Sequence, residues 1–169
     1  GGTHSDAAEK ALLAFNGKVD AGILQALKGE KKVLLPAMRI ASTRSLEDGA
    51  DKIFGLLASS DAEISGAAYQ ALAGVVESGH FNRLAQLLEG GKQVPAIQKA
   101  MKNALLPLPK ADQLANIQSY MGKSANASLY YPLLAQVGTS DAIAEIRKGY
   151  EGNHKQAAYE ALLTIDNAE

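Results

Sequence analysis

The chain has 169 residues, a formal net charge of −1 and no cysteine. This length suits one domain with a buried core. The balanced charge argues against a surface that binds nucleic acid phosphates, and the lack of cysteine excludes disulfides and thiolate metal sites. No stretch approaches the ~20 consecutive apolar residues that cross a bilayer, so no membrane span is predicted.

Apolar residues recur with helical spacing along the whole chain, separated by short polar turns. Aromatic residues make up only 5% of the sequence while alanine and leucine are abundant, which favours close-packed helices over strands. The predicted helices, in chain order, are Ala7–Phe15, Val19–Lys28, Lys31–Ser42, Leu46–Leu57, a helix capped by Asp61 and ended by Ser78-Gly79, Phe81–Leu88, Gln93–Leu105, Asp112–Tyr120, Ala127–Val137, Asp141–Tyr150 and Lys155–Ile165.

Prolines set two of these boundaries. Pro107 and Pro109 forbid continuation of the helix that ends at Leu105, because proline lacks the amide donor and clashes with the preceding turn. Pro132 fits best in a first helical turn, so the helix within Ala127–Val137 is predicted to begin firmly near Tyr131.

One short motif recurs at about 30-residue intervals. Ala67-Ala68-Tyr69-Gln70-Ala71-Leu72 returns as Ala157-Ala158-Tyr159-Glu160-Ala161-Leu162, and Ala7-Ala8-Glu9-Lys10-Ala11-Leu12 lacks only the tyrosine. Looser copies begin at Ala37 and Ala96. The intervening helices carry a second series with the same period: Ile23, Ile53, Leu84, Leu114 and Ile143. Such periods predict an array of helix pairs in which each pair stacks on its neighbours, an α-solenoid.

The pattern Ile64-x-x-Ala67-Ala68-x-x-Ala71-Leu72-Ala73 resembles the second helix of the HEAT-repeat family, in its short bacterial form. Its copy at Ala157–Leu163 and the turn-like stretch Leu134–Ile143 carry the same resemblance. The resemblance implies an all-α, right-handed α-α superhelix of about five helix pairs plus a leading helix. It implies one domain over residues 1–169 whose second helices line a concave face. The opening Gly1-Gly2-Thr3, without methionine, indicates a piece of a longer protein.

No pattern of catalytic or metal-binding residues stands out. His4, His80 and His154 lie far apart in sequence, and Ser78-Gly79-His80 and Gly90-Gly91-Lys92 are read as turns. Acidic residues at helix starts are explained by the helix dipole. Two lysine groups, at 28, 31 and 32 and at 99, 102 and 110, are read as solvated charge, with phosphate or acidic-partner contact as the alternative. No cofactor and no metal are predicted.

The residues predicted to bind a partner come from the proposed concave face. The third motif position varies along the array, whereas its alanines are explained by close helix packing. Tyrosine and arginine also dominate binding hot spots. The predicted partner-binding residues are Arg39, Tyr69, Gln98, Tyr130 and Tyr159. The alternative is that the tyrosine rings pack against the adjoining helix pair.

The leading functional hypothesis is a non-enzymatic scaffold that binds a protein partner on its concave surface. The alternative is an accessory helical domain of a larger, exported bacterial enzyme, contacting a neighbouring domain of the same parent chain. A third hypothesis, an enzyme like the HEAT-like DNA glycosylases or bilin lyases, is disfavoured by the near-neutral charge and by the absence of Trp and Cys. The sequence is compatible with a cytoplasmic protein and with an exported one.

Overall fold

The computed structural model describes residues 18–166, and in this range the chain is entirely helical with no strand. The all-α prediction is therefore confirmed. The described range contains ten α-helices: α1 (Lys18–Ala26), α2 (Lys31–Thr43), α3 (Ala50–Leu56), α4 (Ala62–Val75), α5 (Phe81–Glu89), α6 (Val94–Leu105), α7 (Lys110–Met121), α8 (Tyr131–Val137), α9 (Ser140–Glu151) and α10 (Lys155–Asp166). The predicted leading helix, Ala7–Phe15, lies outside the described residues.

The chain divides after Glu77 into two compact units. The first unit contains α1–α4 and the second contains α5–α10. The prediction of one domain over residues 1–169 stays a prediction.

In the first unit, the two motif-bearing helices α2 and α4 lie side by side. Lys31 at the start of α2 donates from Nζ to Asp61 Oδ2 at the start of α4, at 2.7 Å. The pair is 30 residues apart in sequence, so equivalent ends of the two helices meet and the helices run parallel. Lys52 Nζ of α3 likewise donates to the carbonyl of Leu24 in α1, at 2.9 Å. The motif-bearing helices of the first unit therefore pack side by side, and α1 and α3 are joined by this hydrogen bond.

The approach of α4 to α2 is close because α4 presents glycine there. A Cβ on Gly74 would overlap the backbone carbonyl of Ser42. Glycine therefore occupies a position where any side chain would push the two helix backbones apart.

The second unit packs α6, α8 and α10 in a row, with α8 touching both of the others. Gln136 of α8 forms hydrogen bonds to two other helices, one through its side chain and one through its backbone carbonyl. Its Nε2 donates to the carbonyl of Lys102 in α6 at 3.3 Å, and its own carbonyl accepts from Lys110 Nζ of α7 at 3.0 Å. On α9, Gly149 lies against the ring of Tyr131, where a Cβ would overlap the hydroxyl.

The motif alanines form the buried layer that the sequence predicts. The second motif position is buried as Met38, Ala68, Ile97 and Ala158, and the fifth is buried as Ala41, Ala71, Ala100 and Ala161. These eight side chains are each 4% exposed or less. The second and fifth motif positions, which lie one helical turn apart, are thus buried in all four of these copies.

Most predicted boundaries are confirmed to within one or two residues. Asp61 caps α4 by accepting from the amides of Glu63 and Ile64, at 2.9 and 3.2 Å. The helix in Ala127–Val137 does begin at Tyr131, after a 3₁₀ turn over Ala127–Tyr130. The helix before Pro107 ends at Leu105.

Three sequence predictions need correction. Leu46–Leu57 is a 3₁₀ turn, Glu47–Gly49, followed by the shorter α3, because Gly49 bonds back to the carbonyl of Leu46. α4 ends at Val75, where Val76 turns extended, and Ser78–His80 forms a separate 3₁₀ turn. α7 begins at Lys110 rather than Asp112, directly after Pro109.

The second hydrophobic series also shifts in the last two pairs. Ile23, Ile53 and Leu84 are buried as the period suggests, but Leu114 and Ile143 are only half-buried. Ile117 and Ile146, three residues further on, take the fully buried places. In α7 this rotation accompanies the buried amide of Gln113, which donates from Nε2 to the carbonyl of Leu108 at 2.7 Å.

The close contact at Gly74 predicts a sharp contrast between two glycines of α4. We expect Gly74→Ala to lower the free energy of unfolding by about 1–3 kcal/mol, because the new methyl group meets backbone that cannot rotate away. Gly66 is the matched control, since nothing lies within 4 Å of a Cβ at that position. Gly66→Ala should raise stability by up to about 1 kcal/mol through helix propensity.

Urea denaturation followed by circular dichroism measures both changes. Equal effects of the two substitutions would contradict the close approach of α4 to α2.

Candidate interaction surface

The five residues predicted to bind a partner are placed unequally in the two units. Arg39 lies exposed on α2, beside an open groove of ≈ 580 Å³ that is also lined by Lys32, Leu35 and Glu63. Tyr69, at the same motif position in α4, is buried with 7% of its surface exposed. Neighbouring copies of the motif thus give this position opposite environments.

Gln98 and Tyr130 come together in the second unit, where both make hydrogen bonds within the fold. Gln98 Nε2 on α6 donates to the carbonyl of Leu129 at 2.8 Å, next to Tyr130 in the chain. The Tyr130 hydroxyl donates to Glu89 Oε1, at the end of α5, at 3.0 Å. Tyr130 is 1% exposed, so its ring fills the core and its hydroxyl reaches the edge where Glu89 is exposed.

This environment favours the neutral form of Tyr130. Burial raises the pKa of the Tyr130 hydroxyl, and the hydrogen bond to the Glu89 carboxylate raises that pKa further. Burial also raises the pKa of the neighbouring Tyr131 hydroxyl. The hydrogen bond from the neutral Tyr130 hydroxyl to Glu89 therefore connects the start of α8 to the end of α5.

Tyr159 is the most exposed tyrosine of the five predicted residues, with 51% of its surface accessible. It lies on α10 in a groove of ≈ 390 Å³ between α9 and α10. Tyr150, at 48% exposure, and Leu163, at 41%, line the same groove. We call Tyr150, Tyr159 and Leu163 the tyrosine patch; Arg147 and Glu151 line the same groove.

The sequence analysis named Tyr159 but missed Tyr150 and Leu163. The sequence alone could have identified Leu163, since it follows Tyr159 by one helical turn and so lies on the same face of the helix. Tyr150 comes from the preceding helix, and only the packing of α9 against α10 brings it to the same groove.

The two lysine groups differ in their surroundings. Lys31 lies between Asp61 Oδ2 and Glu63 Oε2, each at 2.7 Å, and these bonds raise the pKa of the Lys31 ammonium group. The same contact lowers the pKa of the Asp61 carboxyl. Burial lowers the pKa of Lys102, which lies half-buried on α6.

Metal ligands do not gather in the part of the chain that the structure describes, where no group of three His, Asp or Glu side chains converges. His154 packs its ring edge-on against Tyr131, with the ring centroids 6.2 Å apart. His4 lies outside the described residues. Ser78-Gly79-His80 and Gly90-Gly91-Lys92 are turns, as predicted.

No helix within residues 18–166 combines the length and the apolar character needed to pass through a bilayer. Comparison with models of known protein families, with curated proteins and with solved structures finds no match.

Tyr130 predicts a specific loss of stability at alkaline pH. Its pKa is raised in the folded chain, so above pH ~10 the unfolded chain gives up its tyrosine proton while the folded chain retains it. The free energy of unfolding therefore falls as the pH rises above about 10. Tyr130→Phe removes the titrating hydroxyl, so we expect a stability lower by about 1 kcal/mol at pH 7 and a shallower decline above pH ~10.

Chemical denaturation between pH 7 and 11 measures this dependence. Tyr150→Phe, which removes a hydroxyl from an exposed ring, is the control and should decline as the unmodified chain does. An unchanged alkaline slope in Tyr130→Phe would refute the assignment.

Proposed function

We propose that this chain is a HEAT-like, right-handed α-solenoid that acts as a non-enzymatic protein-interaction module. The repeat supports the solenoid: motif-bearing helices lie parallel one period apart in the first unit, and two motif positions are buried in four copies. Stacks of this kind present extended surfaces to partners. The tyrosine patch carries the functional part of the proposal.

The tyrosine patch has the chemistry of a binding hot spot. Two tyrosine rings and a leucine, each at least 41% exposed, line one groove together with the charged side chains of Arg147 and Glu151. Scattered single apolar residues are ordinary on protein surfaces, but three together around a concave site are less so. Tyrosine rings lose little entropy on binding and offer both an apolar face and a hydroxyl.

The partner that fits this patch is a protein surface with an apolar side chain at its centre. That side chain enters the groove between α9 and α10, while polar groups around it meet Arg147 and Glu151. This division into an apolar centre and a polar rim is typical of protein interfaces.

The five predicted residues divide accordingly into two groups in this proposal. Tyr159 contacts the partner directly, and Arg39 offers an exposed cation in the first unit. Tyr69, Gln98 and Tyr130 support the fold, because their side chains are buried or bonded to backbone and carboxylate groups. The accessory-domain hypothesis concerns chain outside this sequence and stays a prediction.

Site-specific photo-crosslinking tests the proposal. A photoreactive phenylalanine analogue at position 159 should give a discrete protein adduct in cells of the source organism. The same analogue at Gln118, an exposed residue of α7, is the control and should not give that adduct.

The captured protein, once purified, should bind Tyr150→Ala/Tyr159→Ala at least tenfold more weakly than the unmodified chain, since each hot-spot ring contributes about 1–2 kcal/mol. Both rings are half exposed, so the variant should keep its circular dichroism and melting temperature. Unchanged affinity in the folded variant would end the assignment of the patch.

A further inference from the structure

The residues of α10 in the groove of the tyrosine patch occupy three positions of the repeated motif. Tyr159, Leu162 and Leu163 are the third, sixth and seventh residues of the copy that begins at Ala157, and all three line the groove of ≈ 390 Å³ between α9 and α10. The same three positions on α2 and α6 show what lies against this face when a further helix is present.

On α6, the third and seventh positions bond to the chain one repeat later. Gln98, at the third position, donates from Nε2 to the carbonyl of Leu129, in the turn that leads into α8, at 2.8 Å. The carbonyl of Lys102, at the seventh position, accepts from Gln136 Nε2 of α8 at 3.3 Å. Gln98 precedes Lys102 and Leu129 precedes Gln136, so α6 and α8 run parallel.

On α2, the third and sixth positions lie beside α4. The carbonyl of Ser42, at the sixth position, lies where a Cβ on Gly74 of α4 would overlap it. Arg39, at the third position, lines one groove together with Glu63 of α4. The three motif positions that line the groove on α10 are therefore used on α2 or α6 to face the helix one repeat later.

The third and seventh positions have an unusual chemistry on α10. On α2 they are exposed and polar, on α4 they are buried, and on α6 they are half-buried and polar: Arg39 and Thr43, Tyr69 and Ala73, and Gln98 and Lys102. On α10 they are the apolar side chains of Tyr159 and Leu163, and both are exposed. Covering these two side chains removes apolar area from water, which favours a bound element at this face.

The direction of that element follows from the helices already present. The bond from Lys31 to Asp61 joins the starts of α2 and α4, which run parallel. His154, directly before α10, packs against Tyr131 at the start of α8, so α8 and α10 also have their starts together. With α6 and α8, three pairs of helices one repeat apart therefore run in the same direction.

We infer that the tyrosine patch binds an amphipathic α-helix of a partner protein, which lies parallel to α10 as α4 lies parallel to α2. This inference rests on the proposed binding of a protein at the patch and names the element that the partner presents. Apolar side chains of the bound helix, spaced three and four residues apart, contact Tyr159, Leu162 and Leu163. Polar residues beside that apolar stripe meet Arg147 and Glu151, which line the same groove.

Mapped photo-crosslinks test the shape and the direction of the bound segment. Lys155 and Leu163 are exposed residues of α10, with Tyr159 midway between them on the same face. Their separation along the helix is about 12 Å. A photoreactive phenylalanine analogue is placed at position 155 or 163 of the protein in cells of the source organism. Mass spectrometry then identifies the residue of the partner to which each analogue is attached.

A parallel helix should give two attachment sites about eight residues apart in one segment of the partner, with the site for position 155 nearer the N-terminus. An extended segment would give sites about four residues apart, and an antiparallel helix would reverse their order. Either result overturns the inference and leaves binding at the patch standing. Adducts to a second copy of this chain, or to another part of the same chain, would also overturn it. The absence of any adduct would remove the partner-binding proposal, and this inference with it.

A synthetic peptide of the mapped segment gives a second test, with its affinity for the unmodified chain measured by fluorescence anisotropy. Proline at a central position on the side away from the patch should weaken binding at least about tenfold, because proline breaks a helix. Alanine at the same position is the control and should leave the affinity within about twofold. Equal affinities of the proline and alanine peptides would overturn the inference.

The same peptide tests the contact with α10. Leu163→Ala should weaken its binding about fivefold, because the variant removes apolar area from the proposed contact. Leu106→Ala is the matched control, since Leu106 is also an exposed leucine and lies at the end of α6, outside the groove of the patch. Equal affinities of the two variants would show that the helix does not contact Leu163 and would overturn the inference.

Discussion

Close approach between motif-bearing helices is the constraint on which this structure depends. The positions one turn apart at Ala68 and Ala71 are buried in four copies, and Gly74 brings α4 against the backbone of Ser42. Small side chains let dispersion act between many atom pairs at short range, although each contributes little hydrophobic area. The larger neighbours, such as Leu72 and Met101, then fill the space between the layers. The conserved positions of the motif along this chain are therefore explained by helix packing.

The polar contacts reinforce the same register. Lys31 bonds Asp61 at the helix starts, and Gln136 joins α8 to α6 and α7 through its side chain and its carbonyl. Exposed ion pairs contribute little to stability, so the Lys31 contact serves chiefly to align equivalent ends. Gln136 contributes differently, since its amide adds a second donor to the Lys102 carbonyl, which also accepts from the backbone amide of Leu106 at the end of α6.

The sequence predicted the helices well because their boundaries depend on local chemistry. Asp61 caps α4, and Pro107 follows the end of α6, within a few residues of the atoms they affect. The environments of Tyr69, Tyr130 and Tyr159 depend instead on contacts between distant residues. Tyr130 reaches Glu89 across 41 positions, and Tyr150 joins Tyr159 only through the packing of α9 against α10. The position in the motif therefore predicts on which face of its helix a side chain lies. Whether that side chain is buried depends on the neighbouring helix.

That dependence explains where exposed apolar side chains gather. The large apolar residues exposed within the described range are Val33, Leu106, Tyr150, Tyr159 and Leu163. Val33 lies in the groove beside α1, and the three residues of the tyrosine patch lie beside α9 and α10. The variable motif position is therefore open to solvent where, as at Tyr159, no neighbouring helix of the described range covers it, and it is closed where, as at Tyr69, a neighbouring helix does.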